Sequence, residues 1–249
     1  MVLNKYLIRW WGLACLVVFA GCAAVPPVSP DPPPQTVTEP TEVAPPPVLT
    51  RPPRLGLALG GGAARGFAHV GVIQVLEQAG IRPDVVAGTS AGSLVAALYA
   101  SGMTSARLEQ VALEMEEAAL TDWSLPLFGR GVLRGDALAR YVSRAVDGRP
   151  IEQLPMPLGV LATDLRTGQG VLFRRGDTAQ AVRASSAVPG VFSPVRVGQT
   201  EYVDGGLVAP VPVRQTRDMG AEVVLAVDIS SAPEGNPSNG SLQVLLQTF

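Results

Sequence analysis

Gly88-Thr89-Ser90-Ala91-Gly92 stands where an apolar run beginning at Asp84 gives way to the helical stretch Leu94-Val-Ala-Ala-Leu98. A serine acts as a nucleophile when a sharp strand-to-helix turn with small neighbours frees its Oγ and sets it over a helix N-terminus, and Ser90 meets each condition. The other reading of Ser90 is a plain helix cap whose glycines serve packing. A serine hydroxyl needs a base. His69 is the only histidine, and it precedes the serine instead of following it, so it reads as a packed helix residue and the base falls to a carboxylate. Asp204 in Tyr202-Val203-Asp204-Gly205-Gly206 is the best candidate: its glycines allow another backbone close, and Val203 and Val208 are expected to desolvate the acid and raise its pKa. Taken alone, Asp-Gly-Gly is only a turn. Asp136 reads as a helix cap, Asp164 as part of a hairpin turn and Asp228 as the end of a strand.

A third cluster, Gly60-Gly61-Gly62-Ala63-Ala64-Arg65-Gly66, also joins a strand to a helix. Its glycines leave N–H groups uncovered, and the following helix adds partial positive charge, so the loop suits an anion. A dinucleotide loop is the rival reading, but Arg65 holds the place of its third glycine. The acidic residue required at the end of a second strand is absent, because Asp84 begins that strand, and no Lys-Ser/Thr follows as in a P-loop.

The segments that must hold these motifs alternate. Leu55–Leu59 reads as a buried strand. A helix from about Ala64 carries Phe67, Val70, Ile73 and Leu76 on one face and stops at Gly80. Asp84–Ala87 is a second strand, followed by helices over about Ala91–Ser101, after Thr104 and Ser105, and from Asp136. Leu158–Leu165 and Gly170–Arg174 flank the turn Arg166-Thr167-Gly168, and Glu222–Ile229 reads as a last buried strand. Such alternation predicts an α/β domain with a parallel or mixed sheet covered by helices.

In that order, with the first two about thirty residues apart, a G-x-G-x-x-R-G loop, G-x-S-x-G and D-G-G resemble the patatin-like phospholipase family, especially its bacterial members. Ala184-Ser-Ser-Ala-Val-Pro-Gly190 resembles it too, and the likeness runs from about Leu55 to Ile229. It implies a three-layer α/β/α fold with a mostly parallel central sheet and a Ser-Asp dyad, Ser90 as nucleophile and Asp204 as its activator, cleaving lipid acyl esters. N–H groups of Gly61 and Gly62, joined by Ala63, would form the oxyanion hole, with Arg65 supporting the loop. Gly60, Gly66, Gly88, Gly92, Gly205 and Gly206 complete the motifs. No metal or organic cofactor is called for. Two other classes are open: a catalytically inactive lipid-binding or scaffold lipoprotein, and a nucleotide-binding protein using the Gly-rich loop.

The amino end carries different information. Lys5 and Arg9 precede an uncharged stretch from Trp10 to Val25, shorter than the ~20 residues needed to cross a bilayer, so residues 1–21 read as a signal peptide. Phe19-Ala20-Gly21-Cys22 resembles the lipobox of bacterial lipoproteins, with Phe19 where Leu is usual; Cys22 would be lipidated and become the first residue. An ordinary secretory signal or an uncleaved anchor is the alternative. Residues 23–53 hold 12 of the 23 prolines, which makes residues 22–53 an extended tether from the membrane to a domain over residues 54–249. Ala23 points to the periplasmic side of the outer membrane of a Gram-negative host. With 19 Lys and Arg against 21 Asp and Glu, no cationic face exists to neutralise nucleic acid. Two cysteines, both within the first 22 residues, give no metal cluster. Ser241–Phe249 opens another apolar helical stretch without a stop signal, and the domain reads as truncated there.

Overall fold

The computed structural model describes residues 51–118 and 131–230. The signal, Cys22, most of the tether and the Ser241–Phe249 stretch lie outside the described residues.

In chain order the elements are β1 (Leu55–Leu59), a 3-10 turn (Ala63–Gly66), α1 (Phe67–Gln78), β2 (Val85–Thr89), α2 (Ala91–Ala100), α3 (Ser105–Ala118), β3 (Gly131–Leu133) and α4 (Asp136–Ala145). They continue with β4 (Leu158–Asp164), β5 (Gly170–Phe173), α5 (Thr178–Ser185), β6 (Gly190–Phe192), β7 (Val195–Val197), β8 (Thr200–Asp204), α6 (Val213–Asp218) and β9 (Val223–Val227). β9, β1, β2 and β4 pair side by side in parallel, while β5, β8 and β7 add an antiparallel flank; β3 and β6 form a separate two-stranded ladder. The α/β class is what the alternating pattern predicts, and the mostly parallel central sheet is what the family resemblance implies. The β4–β5 hairpin is the one expected around Arg166-Thr167-Gly168, whereas the antiparallel pairs that β8 makes with β4 and β7 are additions to the expected strands.

Alternation along the strands sorts the core into two sides. Leu57, Leu59, Val86 and Val160 join Ile73 of α1, Leu94 and Leu98 of α2, and Leu108 of α3 in the larger cluster. Val85 and Ala87 point the other way, onto Met219 and Ala221 at the end of α6. β1, β2 and β4 are buried on both faces and read as continuous apolar runs for that reason.

Two expectations need correction. β9 is not a buried strand: among the described residues it pairs only with β1, and Val223 and Leu225 are 47% and 38% exposed. Nor is Asp136 the cap of α4. Gly135, left-handed at φ 78°, takes that position, and Asp136 forms an ion pair with Arg183 at 2.7 Å.

The register of β4 creates the site. Its Val86-to-Thr89 partner residues run from Leu158 to Leu161, and there β2 stops. From Ala162 to Asp164 the partner is β8, running the opposite way and ending at Asp204, opposite Ala162. β5 occupies the other edge of β4, since Val160 to Thr163 are paired with it. β2 and β8 therefore share one edge of β4 and meet tip to tip, Thr89 opposite Leu161 and Asp204 opposite Ala162. Residues more than a hundred positions apart are brought together by consecutive residues of a single strand.

Candidate active site

Ser90 turns the chain from β2 into α2 at φ 52°, ψ −123°, and is one of three non-glycine residues with positive φ among the described residues. Such a conformation costs on the order of 1–3 kcal/mol and persists only where its surroundings enforce it. The enforcement comes from close packing. A Cβ on Gly88 would collide with the Gly92 backbone, and one on Gly92 with the carbonyls of Leu59 and Gly60 at the end of β1. The Ser90 N–H donates to Ser185 Oγ at 2.9 Å, and that hydroxyl in turn donates to the Leu161 carbonyl. Ser185 thus ties the elbow to β4. The sequence reading missed this residue; its signal was its place in the Ala184–Gly190 segment.

Asp204 is fully buried and ends β8. Its Oδ1 accepts the Gly206 N–H at 2.7 Å, whereas Oδ2 has no hydrogen-bond partner. Burial raises its pKa from 3.8 to about 6, opposed by the Ser90 hydroxyl and then by the Gly206 N–H. The Ser90 hydroxyl therefore faces the carboxylate closely enough to favour its charged form, short of a well-formed hydrogen bond. Of the two valines expected to desolvate the acid, one faces away from it and the other is largely exposed. Val203, the preceding strand residue, points to the opposite face, and Val208 is 41% exposed. The Asp204 N–H donates to the Ala187 carbonyl, in the turn after α5, at 3.0 Å. Thr163 Oγ1 donates to the Asp204 carbonyl at 2.8 Å from the β4 side.

Ser90 and Asp204 line one small cavity of about 40 Å³ together with Gly61, Gly62, Ala63 and Gly206. The Gly-rich loop therefore does reach the serine. Its donors differ from expectation in one respect: the Gly61 N–H donates to the Pro210 carbonyl at 2.9 Å and is used in fixing the loop. Gly60 donates likewise to Val227 at 3.0 Å. Gly62 and Ala63 carry no such bond, which leaves their N–H groups as the donors available to an anion. Arg65 Nε donates to the Ile229 carbonyl at 2.7 Å, tying the loop to the chain beyond β9.

His69 lies fully buried on α1, and its Nε2 is 2.8 Å from the Gly60 carbonyl. A carbonyl only accepts, so Nε2 carries the proton and the buried, unpartnered Nδ1 is bare. Desolvation lowers its pKa and keeps it neutral. It holds the loop and does not line the cavity. Among the described residues no three His, Cys, Asp or Glu side chains group as metal ligands would.

Residues 57–217 match the family model for patatin-like phospholipases. The chain belongs to the patatin-like phospholipase family. An uncharacterised NTE family protein of Mycobacterium tuberculosis (strain ATCC 25618 / H37Rv) is 36% identical over 183 residues, covering 74% of this chain and 51% of that protein. Patatin-like phospholipase domain-containing protein 6 of Mus musculus is 33% identical over 188 residues, covering 72% of this chain and 14% of the mouse protein. The chain thus spans about half, or far less, of the length of these relatives. The crystal structure of VipD from Legionella pneumophila superposes with a TM-score of 0.48 and 18% identity, over 62% of this chain and 46% of that one.

Proposed function

We propose that this protein is a serine hydrolase of lipid acyl esters, of phospholipase A or lysophospholipase type, working through a Ser90–Asp204 dyad. One observation carries the reading: a buried carboxylate with a bare oxygen shares a cavity with a serine held on a strained elbow. Asp204, ionised above about pH 6, takes the Oγ proton as Ser90 attacks the ester carbonyl. The oxyanion accepts from the Gly62 and Ala63 N–H groups. Collapse expels the alcohol, which takes the proton from Asp204 and leaves acyl-Ser90. Water then attacks the acyl-enzyme, Asp204 removing its proton, and the fatty acid leaves as Ser90 regains its hydrogen.

A membrane address fits this chemistry. On our reading Cys22 is lipidated after residues 1–21 are removed, and the Pro-rich segment 22–53 tethers the domain over residues 54–249 on the periplasmic side of a Gram-negative outer membrane. A lipid substrate would then lie within reach of the tether.

The test is labelling of the full chain by a fluorophosphonate probe, paired with fatty-acid release from phospholipid and lysophospholipid vesicles. Ser90→Ala should lose both the label and the release. Fatty-acid release that survives in Ser90→Ala would overturn the assignment.

A further inference from the structure

The segment that follows the base buries little of its own surface. After Asp204 the chain makes a 3-10 turn over Gly205–Leu207 and returns past the Gly-rich loop, with Leu207 and Val208 48% and 41% exposed. A stretch with so little apolar burial is placed by its polar ties and close contacts. At its start Thr163 donates to the Asp204 carbonyl, and Gly205 lies so near the Leu161 carbonyl that a Cβ could not fit. At its end two consecutive carbonyls are taken: Ala209 accepts the Thr89 hydroxyl at 3.0 Å, and Pro210 accepts the Gly61 N–H at 2.9 Å.

Thr89 stands where these parts meet. It is fully buried, ends β2 and precedes Ser90. A Cβ on Gly61 would lie 3.3 Å from Ser90 Cβ and 3.6 Å from the Thr89 carbonyl, so the Gly-rich loop rests directly on the elbow. The Thr89 hydroxyl reaches the return from Asp204, 120 residues further along the chain. Ser90 does not depend on this bond, since Gly88, Gly92 and the Ser185 tie fix the elbow. What the hydroxyl fixes is the far end of the segment whose near end is the base.

We infer that Thr89 is a positioning residue of the hydrolase: its hydroxyl sets residues 205–210 against Ser90, and with them the Gly206 N–H that orients Asp204 and the Pro210 carbonyl that seats the Gly-rich loop. The inference rests on the Ser90–Asp204 reading of the site. Thr89 does not line the cavity and touches no reacting atom. Without its hydroxyl the Ala209 carbonyl must turn to water or stay unpaired, and either outcome loosens the return. Asp204 Oδ1 is then held by an N–H that itself moves, and Gly62 and Ala63 shift with Gly61. Proton transfer and oxyanion binding both suffer, so the loss falls on kcat.

The experiment compares the full chain with three variants. Thr89→Val keeps the side-chain shape and removes the donor, and Thr89→Ser keeps the donor. Thr178→Val removes the same kind of bond, a buried hydroxyl donating to the Arg149 carbonyl at 2.7 Å, from the end of α5 remote from Ser185. Turnover of p-nitrophenyl butyrate is expressed per serine titrated with a fluorophosphonate, so that unfolded molecules are not counted. Thr89→Val should lower kcat by about tenfold or more with KM changed by less than about twofold. Thr89→Ser should stay within about threefold of the parent, because the hydrogen bond survives. Thr178→Val and Thr89→Val should both melt ~2–10 °C lower, yet only Thr89→Val should be slow. A Thr89→Val variant with the parent's kcat, a Thr89→Ser variant as slow as Thr89→Val, or a Thr178→Val variant slowed to the same degree overturns the role. Should Thr89→Val not fold, Thr89→Ala is judged in its place by the same outcomes. A parent that takes no label at Ser90 and turns over no ester fails the hydrolase reading itself, and that result is seen before any variant is compared.

Discussion

Replacing Asp204 by Asn should abolish turnover and at the same time stabilise the fold at neutral and alkaline pH. The acid is fully buried, with a folded-state pKa of about 6 against 3.8 for an ordinary aspartate. Between those values the folded chain holds a proton that the unfolded chain has lost, so stability falls as pH rises through that interval. About two pKa units at ~1.4 kcal/mol each amount to about 3 kcal/mol lost by pH 7 and above. Asn cannot ionise, and its amide oxygen can keep the Gly206 N–H that Oδ1 now accepts. Urea denaturation of both proteins at about pH 4 and about pH 8 measures the difference, which should be small at the lower pH and about 3 kcal/mol in favour of Asp204→Asn at the higher. For a domain of this size that corresponds to a melting temperature higher by ~5–10 °C. The parent's kcat/KM should rise with a midpoint near pH 6 as the base ionises. Equal pH dependence of stability in the two proteins, or an Asp204→Asn variant less stable at the higher pH, would refute this account of the buried charge.

Ser185→Ala should lower both melting temperature and kcat, because it strips the Ser90 N–H and the buried Leu161 carbonyl of their shared partner, at ~1–3 kcal/mol for each group left unpaired. Thermal unfolding beside esterase kinetics reads both effects, and a Ser185→Ala variant of unchanged kcat would show that the elbow needs no such tie. His69→Gln can still donate to the Gly60 carbonyl and should retain activity to within about tenfold, whereas a histidine base would require a far larger loss. Cys22→Ala should move the protein from the membrane to the soluble fraction, and unchanged fractionation would rule out the lipid anchor.

What could be read from the sequence was the local geometry. Ser90 and the Gly-rich loop each sit at a strand end followed by helix, and such turns announce themselves through glycines whose missing side chains are a local requirement. The mate of Ser90 was legible only as a residue type in a turn, since its place depends on β4 exchanging β2 for β8 between Leu161 and Ala162. No periodicity encodes that exchange. The Gly61 donor was misjudged for a related reason: its N–H is taken by the carbonyl of Pro210, far along the chain, where the return from Asp204 passes the loop. Edge position among the described strands escaped as well, because Val223-Val-Leu-Ala-Val227 has the composition of a strand buried on both faces, yet three of its five residues are exposed and none is fully buried.

The arrangement also bears on how a serine can manage without histidine. In a three-residue system one group orients the base and the base moves the proton, so two functions are divided between two side chains. In the proposed dyad both would fall on one carboxylate, whose oxygens have different surroundings. Oδ1 is fixed by the Gly206 N–H, while the carbonyl and N–H of Asp204 itself are held by Thr163 and Ala187, so orientation comes from backbone and strand register. Oδ2, buried and without a hydrogen-bond partner, is the oxygen left free for a proton. Desolvation then supplies the basicity that an exposed aspartate lacks. On this reasoning burial and the bare oxygen form one device. Admitting water to Asp204 should therefore weaken the base before it disturbs the position of Ser90, whose elbow is secured separately by Gly88, Gly92 and Ser185.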